Sequence, residues 1–221
     1  MTPEELAWEK VLEQNLGTFY LPRYKEAKAK GLETAWDYVK DNPKLPRVLL
    51  IGDSISRAYT MPVRHALVGE VNVHRAPANC GKTSFGLRKM DIWLGDGNWD
   101  VIVFNFGIHD RKTFSETYAV NLEKIIARLK KTGATLIWAT TTPIAPGDDT
   151  YEPGSSARSN AIAAKIMKKH GIQVVDLYSL ILPDLEKYQL PKDCHFKPEG
   201  YELMGGKVAE AILEALKTEP G

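Results

Sequence analysis

A chain of 221 residues, 43% hydrophobic and 26% charged with a formal net charge of +1, is long enough to bury a core without staples and has the composition of an ordinary globular protein. No block of Lys and Arg stands out, which removes the electrostatic case for nucleic acid or an anionic membrane surface. No run approaches the ~18 apolar residues of a membrane span.

The opening Met-Thr-Pro-Glu-Glu-Leu is acidic and amphipathic, not the pattern of a signal peptide, and the compartment stays open. It is a helix start, with Thr2 as cap, Pro3 at the first position and Glu4 and Glu5 in the first turn. Leu6, Val11, Leu12 and Leu16 continue it as a helical stripe. A second helix is predicted after Pro22 and a third from Leu32 to Lys40. Residues 1–46 therefore read as a helical arm packed on the domain that follows, with Asp41 to Pro46 as the linker. Its aromatic residues Trp8, Phe19, Tyr20, Tyr24, Trp36 and Tyr38 read as packing residues rather than ligand contacts.

From Arg47 the pattern alternates. Short apolar runs predict strands at 48–51, 71–75, 101–106, 134–140 and 172–177. Between them fall helical stretches: one through Pro62 to Val68, one ending near Leu94, one from Ser115 to Lys131 and one from Ser155 to His170. A polar loop with Pro143, Pro146, Gly147, Pro153 and Gly154 precedes the last of these. A long final helix is predicted from Pro198 to Lys217. Strands alternating with periodic helices mean a parallel sheet with helices on both faces, here over residues 47–221.

Four loops at strand ends carry unusual residues: Gly52-Asp53-Ser54, Asn79-Cys80-Gly81-Lys82-Thr83, Gly107-Ile108-His109-Asp110 and Asp193-Cys194-His195. All should emerge at one edge of the sheet, where open α/β folds build their sites. Ser54 reads equally as a nucleophile and as part of a helix cap with Asp53. Taken together, the four loops and the His195-Phe-Lys-Pro-Glu-Gly-Tyr201 run that opens the final helix resemble the GDSL esterases, also called SGNH hydrolases. Gly-Asp-Ser alone is a weak sign; joined to the later run, in this order and at this separation, it is specific. The resemblance covers Arg47 to Leu216.

What the resemblance implies is a three-layer α/β/α, flavodoxin-like domain with a five-stranded parallel sheet. It also implies a serine esterase with Ser54 as nucleophile and His195 as general base. The Ser54 amide and Gly81 would supply oxyanion donors, together with a third side chain at the His109 position. The chemistry agrees. A serine hydroxyl needs a base within hydrogen-bond reach, and each fixed oxyanion donor is worth roughly 10²–10³ in rate. Gly81 lets a backbone amide approach because no side chain intervenes.

Two positions depart from the family pattern. His109 stands where the family has asparagine; a neutral imidazole can still donate one N–H, or the residue is structural. The family's aspartate three before the histidine is absent, because Lys192 sits there. Asp193, two before, either reaches the ring through a shifted turn or leaves a Ser–His dyad.

Cys80 and Cys194 flank the expected glycine and base, so a disulfide between them is an open expectation; it would favour an oxidising compartment, secreted or periplasmic. Asp53, Arg57, Asn79, Asp110 and Arg111 are softer candidates for substrate contact, each equally readable as a capping or surface residue, and His65, His74 and His170 read as structural. No metal or cofactor is expected. The expected partner is a small ester, first of all a short acyl group such as acetyl on a carbohydrate, with no nucleic acid and no membrane; the oligomeric state is left open. Lipase, thioesterase and arylesterase activities, or a catalytically impaired binding protein on the same fold, are the alternatives.

Overall fold

The computed structural model describes residues 1–147 and 154–217; Pro153 of the predicted loop and residues 218–221 of the predicted domain lie outside them. Five short segments, all but β2 largely apolar, form parallel strands: β1 (Arg47–Ile51), β2 (Asn72–Arg75), β3 (Val101–Phe104), β4 (Thr135–Ala139) and β5 (Gln173–Val175). Helices connect and cover them: α1 (Pro3–Asn15), α2 (Gly17–Ala29), α3 (Ser54–Ala66), α4 (Thr83–Leu94), α5 (Ser115–Leu129), α6 (Ser155–His170), α7 (Leu177–Ile181), α8 (Leu185–Tyr188) and α9 (Pro198–Lys217).

The strand order is β2-β1-β3-β4-β5. Val48 pairs with Val73 on one side and Val101 on the other, so β1 is flanked by strands on both sides. Alternate residues point to opposite faces. Val48, Leu50 and Val103 pack with Val63 of α3 and Val208 and Ile212 of α9. Leu49, Ile51, Ile102 and Phe104 pack with Met90 of α4, Ile125 of α5 and Met167 of α6. The result is the predicted three-layer sandwich with a five-stranded parallel sheet. The chain leaves β1 toward β2 and returns to place β3 on the far side, so the loops after β1 and β3 diverge. That crevice is where such sheets bind ligands.

α3 and α9 pack closely because Gly205 faces the Pro62 ring, and any side chain there would collide with it. Pro62 thus sits inside α3, which ends at Ala66 rather than Val68. The predicted β1 starts one residue late, at 48, while the other four predictions run one or two residues past an end. The short helices α7 and α8 were not predicted; Asp176 caps the first by accepting the Ser179 amide at 3.0 Å.

The arm differs most from expectation. α2 starts at Gly17 and runs through Pro22, with only Leu16 separating it from α1. No helix forms over residues 32–40. The Thr34 hydroxyl donates to Asp37 at 2.6 Å, and Thr34 Oγ1 accepts the Trp36 amide at 3.2 Å. These local side-chain bonds close a turn in competition with the helix. Leu12, Leu16, Tyr24 and Trp36 form a separate small core, joined by Trp8 and Tyr20. The segment is anchored to the sheet: Trp36 Nε1 donates to the Ala76 carbonyl at 3.2 Å, and His74 of β2 pairs with Asp41 at 2.5 Å.

Candidate active site

Gly52 ends β1, and a Cβ there would meet the Ser56 side chain, so the turn into α3 is tight. Asp53 is the helix cap, accepting the Ile55 amide at 2.9 Å. It is buried in this role. Ser54 is the first residue of α3, at the positive end of the helix dipole. Its Oγ lies 2.8 Å from His195 Nε2.

Asp193 accepts from the other ring nitrogen of His195 at 2.7 Å and from the His195 amide at 3.0 Å. Lys192, just before Asp193, adopts φ +54°, the one non-glycine residue with positive φ among the described residues. A left-handed residue there costs about 1 kcal/mol; the two-residue reach itself is local, since the same Asp193 oxygen accepts from both the ring and the amide of His195. Burial works against ionisation of Asp193, but the hydrogen bonds from the His195 ring and amide, with the attraction of the ring, outweigh it and hold the carboxyl below its usual range.

A residue that sequence reasoning missed braces the serine turn. Arg75, the last residue of β2, is 2% exposed. It donates to Ser56 Oγ at 2.6 Å and to the carbonyls of Gly52 and Asp53 at 3.0 and 2.9 Å. It makes no ion pair among the described residues, so backbone carbonyls and one hydroxyl hold the buried charge. An arginine ending a predicted strand was the only signal available.

The second loop is tied to the first by the Cys80 amide, which donates to the Gly52 carbonyl at 3.1 Å. Gly81 follows at φ +60°, a conformation that favours glycine. Asn79 Oδ1 is buried without a partner. The Asp110 carboxylate accepts the Thr83 amide and the Thr83 hydroxyl, both at 2.8 Å, capping α4 and locking the third loop to the second. Arg111 donates to the Ile108 carbonyl at 3.3 Å. His109 sits on a single 3₁₀ turn after β3, and its Nε2 is buried with no protein partner.

The expected Cys80–Cys194 disulfide is not formed; both residues are buried thiols. Cys80 packs with the layer of α4 and α5 and Cys194 with the layer of α3 and α9, so the sheet separates them. The argument from a disulfide to an oxidising compartment lapses with it. The ligand atoms of Asp193, Cys194 and His195 lie within 4.8 Å of one another, the one such group among the described residues, and those of Asp193 and His195 belong to the hydrogen-bond chain above.

Beside His195, between α2, the 33–36 turn and α3, lies a cavity of about 490 Å³. Phe19, Tyr20, Tyr24 and Trp36 line it opposite Arg57 and His195. The arm aromatics are thus not only packing residues: Tyr24 and Trp36 are buried, while Phe19 is largely exposed at the cavity wall.

Comparison with known proteins gives the same outline. The GDSL-like Lipase/Acylhydrolase family model matches residues 50–203. A lipase/acylhydrolase from Enterococcus faecalis superposes with a TM-score of 0.69 at 22% identity, covering 80% of this chain and 99% of its own. An acetyl xylan esterase, AlAXEase, superposes at 0.65 and 17% identity, covering 75% of this chain and 99% of its own. A GDSL-like lipase from Bacteroides thetaiotaomicron superposes at 0.66 and 16% identity, with 87% and 98% coverage. No curated protein matches the chain by sequence. An open parallel sheet with a serine, a histidine and an aspartate in line at its carboxyl edge is the scaffold of a hydrolytic enzyme. More narrowly, the chain belongs to the GDSL-like lipase/acylhydrolase family, the SGNH hydrolases, and is a carboxylic ester hydrolase. Among the described residues no helix is long and apolar enough to cross a membrane.

Proposed function

We propose that the chain is a serine esterase acting through an acyl-serine intermediate, with short acyl groups such as acetyl on a carbohydrate as its substrates. The observation that carries this is the unbroken hydrogen-bond chain Ser54–His195–Asp193, with 2.8 and 2.7 Å links. Ser54 Oγ attacks the ester carbonyl while His195 Nε2 takes its proton; Asp193 fixes the tautomer and stabilises the imidazolium. The carbonyl oxygen becomes an oxyanion, held by the amides of Ser54 and Gly81 and by the N–H at His109 Nε2. Collapse breaks the bond to the alcohol, which leaves with the proton from His195. Water, deprotonated by the same imidazole, then attacks the acyl-serine, releases the carboxylic acid and restores Ser54. The scheme needs no metal or cofactor.

The 2.7 Å Asp193–His195 bond supports a triad over a dyad. The partnerless Nε2 of His109 supports a donor role, since a buried imidazole nitrogen otherwise finds a partner. For the substrate, an aromatic-walled cavity with polar groups at its edge suits a sugar ring, and a structural neighbour is an acetyl xylan esterase. The test is hydrolysis of p-nitrophenyl esters of rising chain length beside acetylated sugars. Wild type should cleave the acetyl esters best, and Ser54→Ala should abolish turnover. A preference for long chains would favour a lipase or thioesterase. Absence of any Ser54-dependent hydrolysis would leave a binding protein.

A further inference from the structure

We propose that the cavity beside His195 binds a carboxylate-bearing part of the substrate through Arg57, and that the N-terminal arm is the element that sets this specificity. The proposal rests on the esterase reading for its reaction and refines it to esters of acidic sugars.

Three observations carry it. Arg57 lies one turn along α3 from Ser54, and its guanidinium sits 5.6 Å from the Tyr20 ring centre and 5.9 Å from that of Trp36. Its Nε is buried and has no acceptor, and it forms no ion pair among the described residues. A donor packed over an edge-to-face pair of aromatic rings with no protein acceptor is an unfinished hydrogen-bonding site, and the planar fork of an arginine matches a carboxylate.

The cavity also holds the right balance of charge. Arg23 is its second cation, stacked 3.7 Å over Phe19. The acid on its wall, Glu33, has a side chain 77% exposed, at 4.0 Å from His65, so it faces water rather than neutralising Arg57. Arg57 and Arg23 outnumber this one acid on the wall, while Tyr20 and Trp36 offer flat surfaces for the rest of a ring. The volume, about 490 Å³, falls within the usual range for small-ligand sites.

The wall that makes the cavity comes from outside the family match. Phe19, Tyr20 and Trp36 belong to residues 1–46, and the family model begins at residue 50. The machinery around Ser54 therefore belongs to the shared domain, while the surface that meets the far end of the substrate is supplied by the arm.

The experiment has a binding arm and a turnover arm. Titration of sodium glucuronate and of glucose into the Ser54→Ala protein, followed by calorimetry and tryptophan fluorescence, reads the cavity without catalysis. Glucuronate should bind at least about tenfold more tightly than glucose, and Arg57→Met in the same background should erase the difference. Arg57→Lys, which keeps the charge but not the fork, should retain only part of it, and it serves as the variant if Arg57→Met fails to fold. In turnover, the kcat/KM ratio of acetylated glucuronate to acetylated glucose should fall about ten- to a hundredfold in Arg57→Met. Equal affinity for the two sugars, or a ratio that Arg57→Met leaves unchanged, overturns the proposal. The esterase reading is judged separately by Ser54-dependent cleavage of p-nitrophenyl acetate. Loss of that cleavage alongside Arg57-dependent glucuronate binding would remove the esterase and keep the anion site.

Discussion

Asp193 reaches His195 over a two-residue step, one carboxylate oxygen accepting from both the ring and the amide of His195. If it orients the proposed base, Asp193→Ala should lower kcat on the order of 10⁴-fold while KM moves little; steady-state kinetics on p-nitrophenyl acetate check this, and small effects on both constants would point to a dyad. Arg75 makes a different prediction. Its three donated bonds hold the carbonyls of Gly52 and Asp53 and the Ser56 hydroxyl. Arg75→Met removes three donated bonds, although the Gly52 and Asp53 carbonyls keep the Cys80 and Arg57 amides as partners, and stability should fall by about 1–3 kcal/mol, measured by urea unfolding. Arg75→Lys cannot span the three acceptors and should recover only part.

At the scale of elements, His74 links β2 to the segment that joins the arm to the sheet. Burial holds its imidazole below the ordinary histidine value, against the opposing pull of Asp41. The folded chain thus takes this proton less readily than the unfolded one. The resulting stabilisation is complete above about pH 6.5 and is lost as pH falls through that value toward the lowered one. The melting temperature should therefore drop between pH 7 and 5, and His74→Gln should flatten that drop. The elements also show what a sequence can and cannot reveal. α9 matches its predicted span because Pro198 marks its start and its apolar stripe is long. The strands were legible as apolar runs between turn residues. The predicted helix at 32–40 failed because a single Thr34–Asp37 contact, invisible to periodicity, closes the chain into a turn. Ser54 and His195 could be picked out because each belongs to a motif at an element boundary. Arg75 and the cavity wall could not, since their meaning depends on which strand and which helix lie beside them.

For the molecule as a whole, the sheet divides the interior into two separate cores, and each holds one thiol. Burial pushes the Cys80 thiol up to about 12, so neither its exposure nor its ionisation favours reaction in the folded state. Intact mass should be the same with and without reductant, and alkylation of Cys80 and Cys194 should begin together, at the denaturant concentration of global unfolding. Earlier labelling of one would mean that its layer opens alone. A mass two hydrogens lighter without reductant would restore the disulfide. The fold class was legible at this scale from the alternation of strands and helices. The separation of the two cysteines was not, because loops adjacent at a sheet edge can still send neighbouring side chains to opposite faces.

The bond between Ser54 and His195 joins residues 141 positions apart. Its two halves are carried by the first strand-to-helix turn and by the loop before the final helix, with every other strand of the sheet laid down between them. During synthesis, the serine leaves the ribosome long before its partner, and a nascent or C-terminally shortened chain holds an inert hydroxyl. Non-local parallel pairing is slow to form, so on the proposed roles of Ser54 and His195 the chain should gain acyl-transfer activity only when winding is finished.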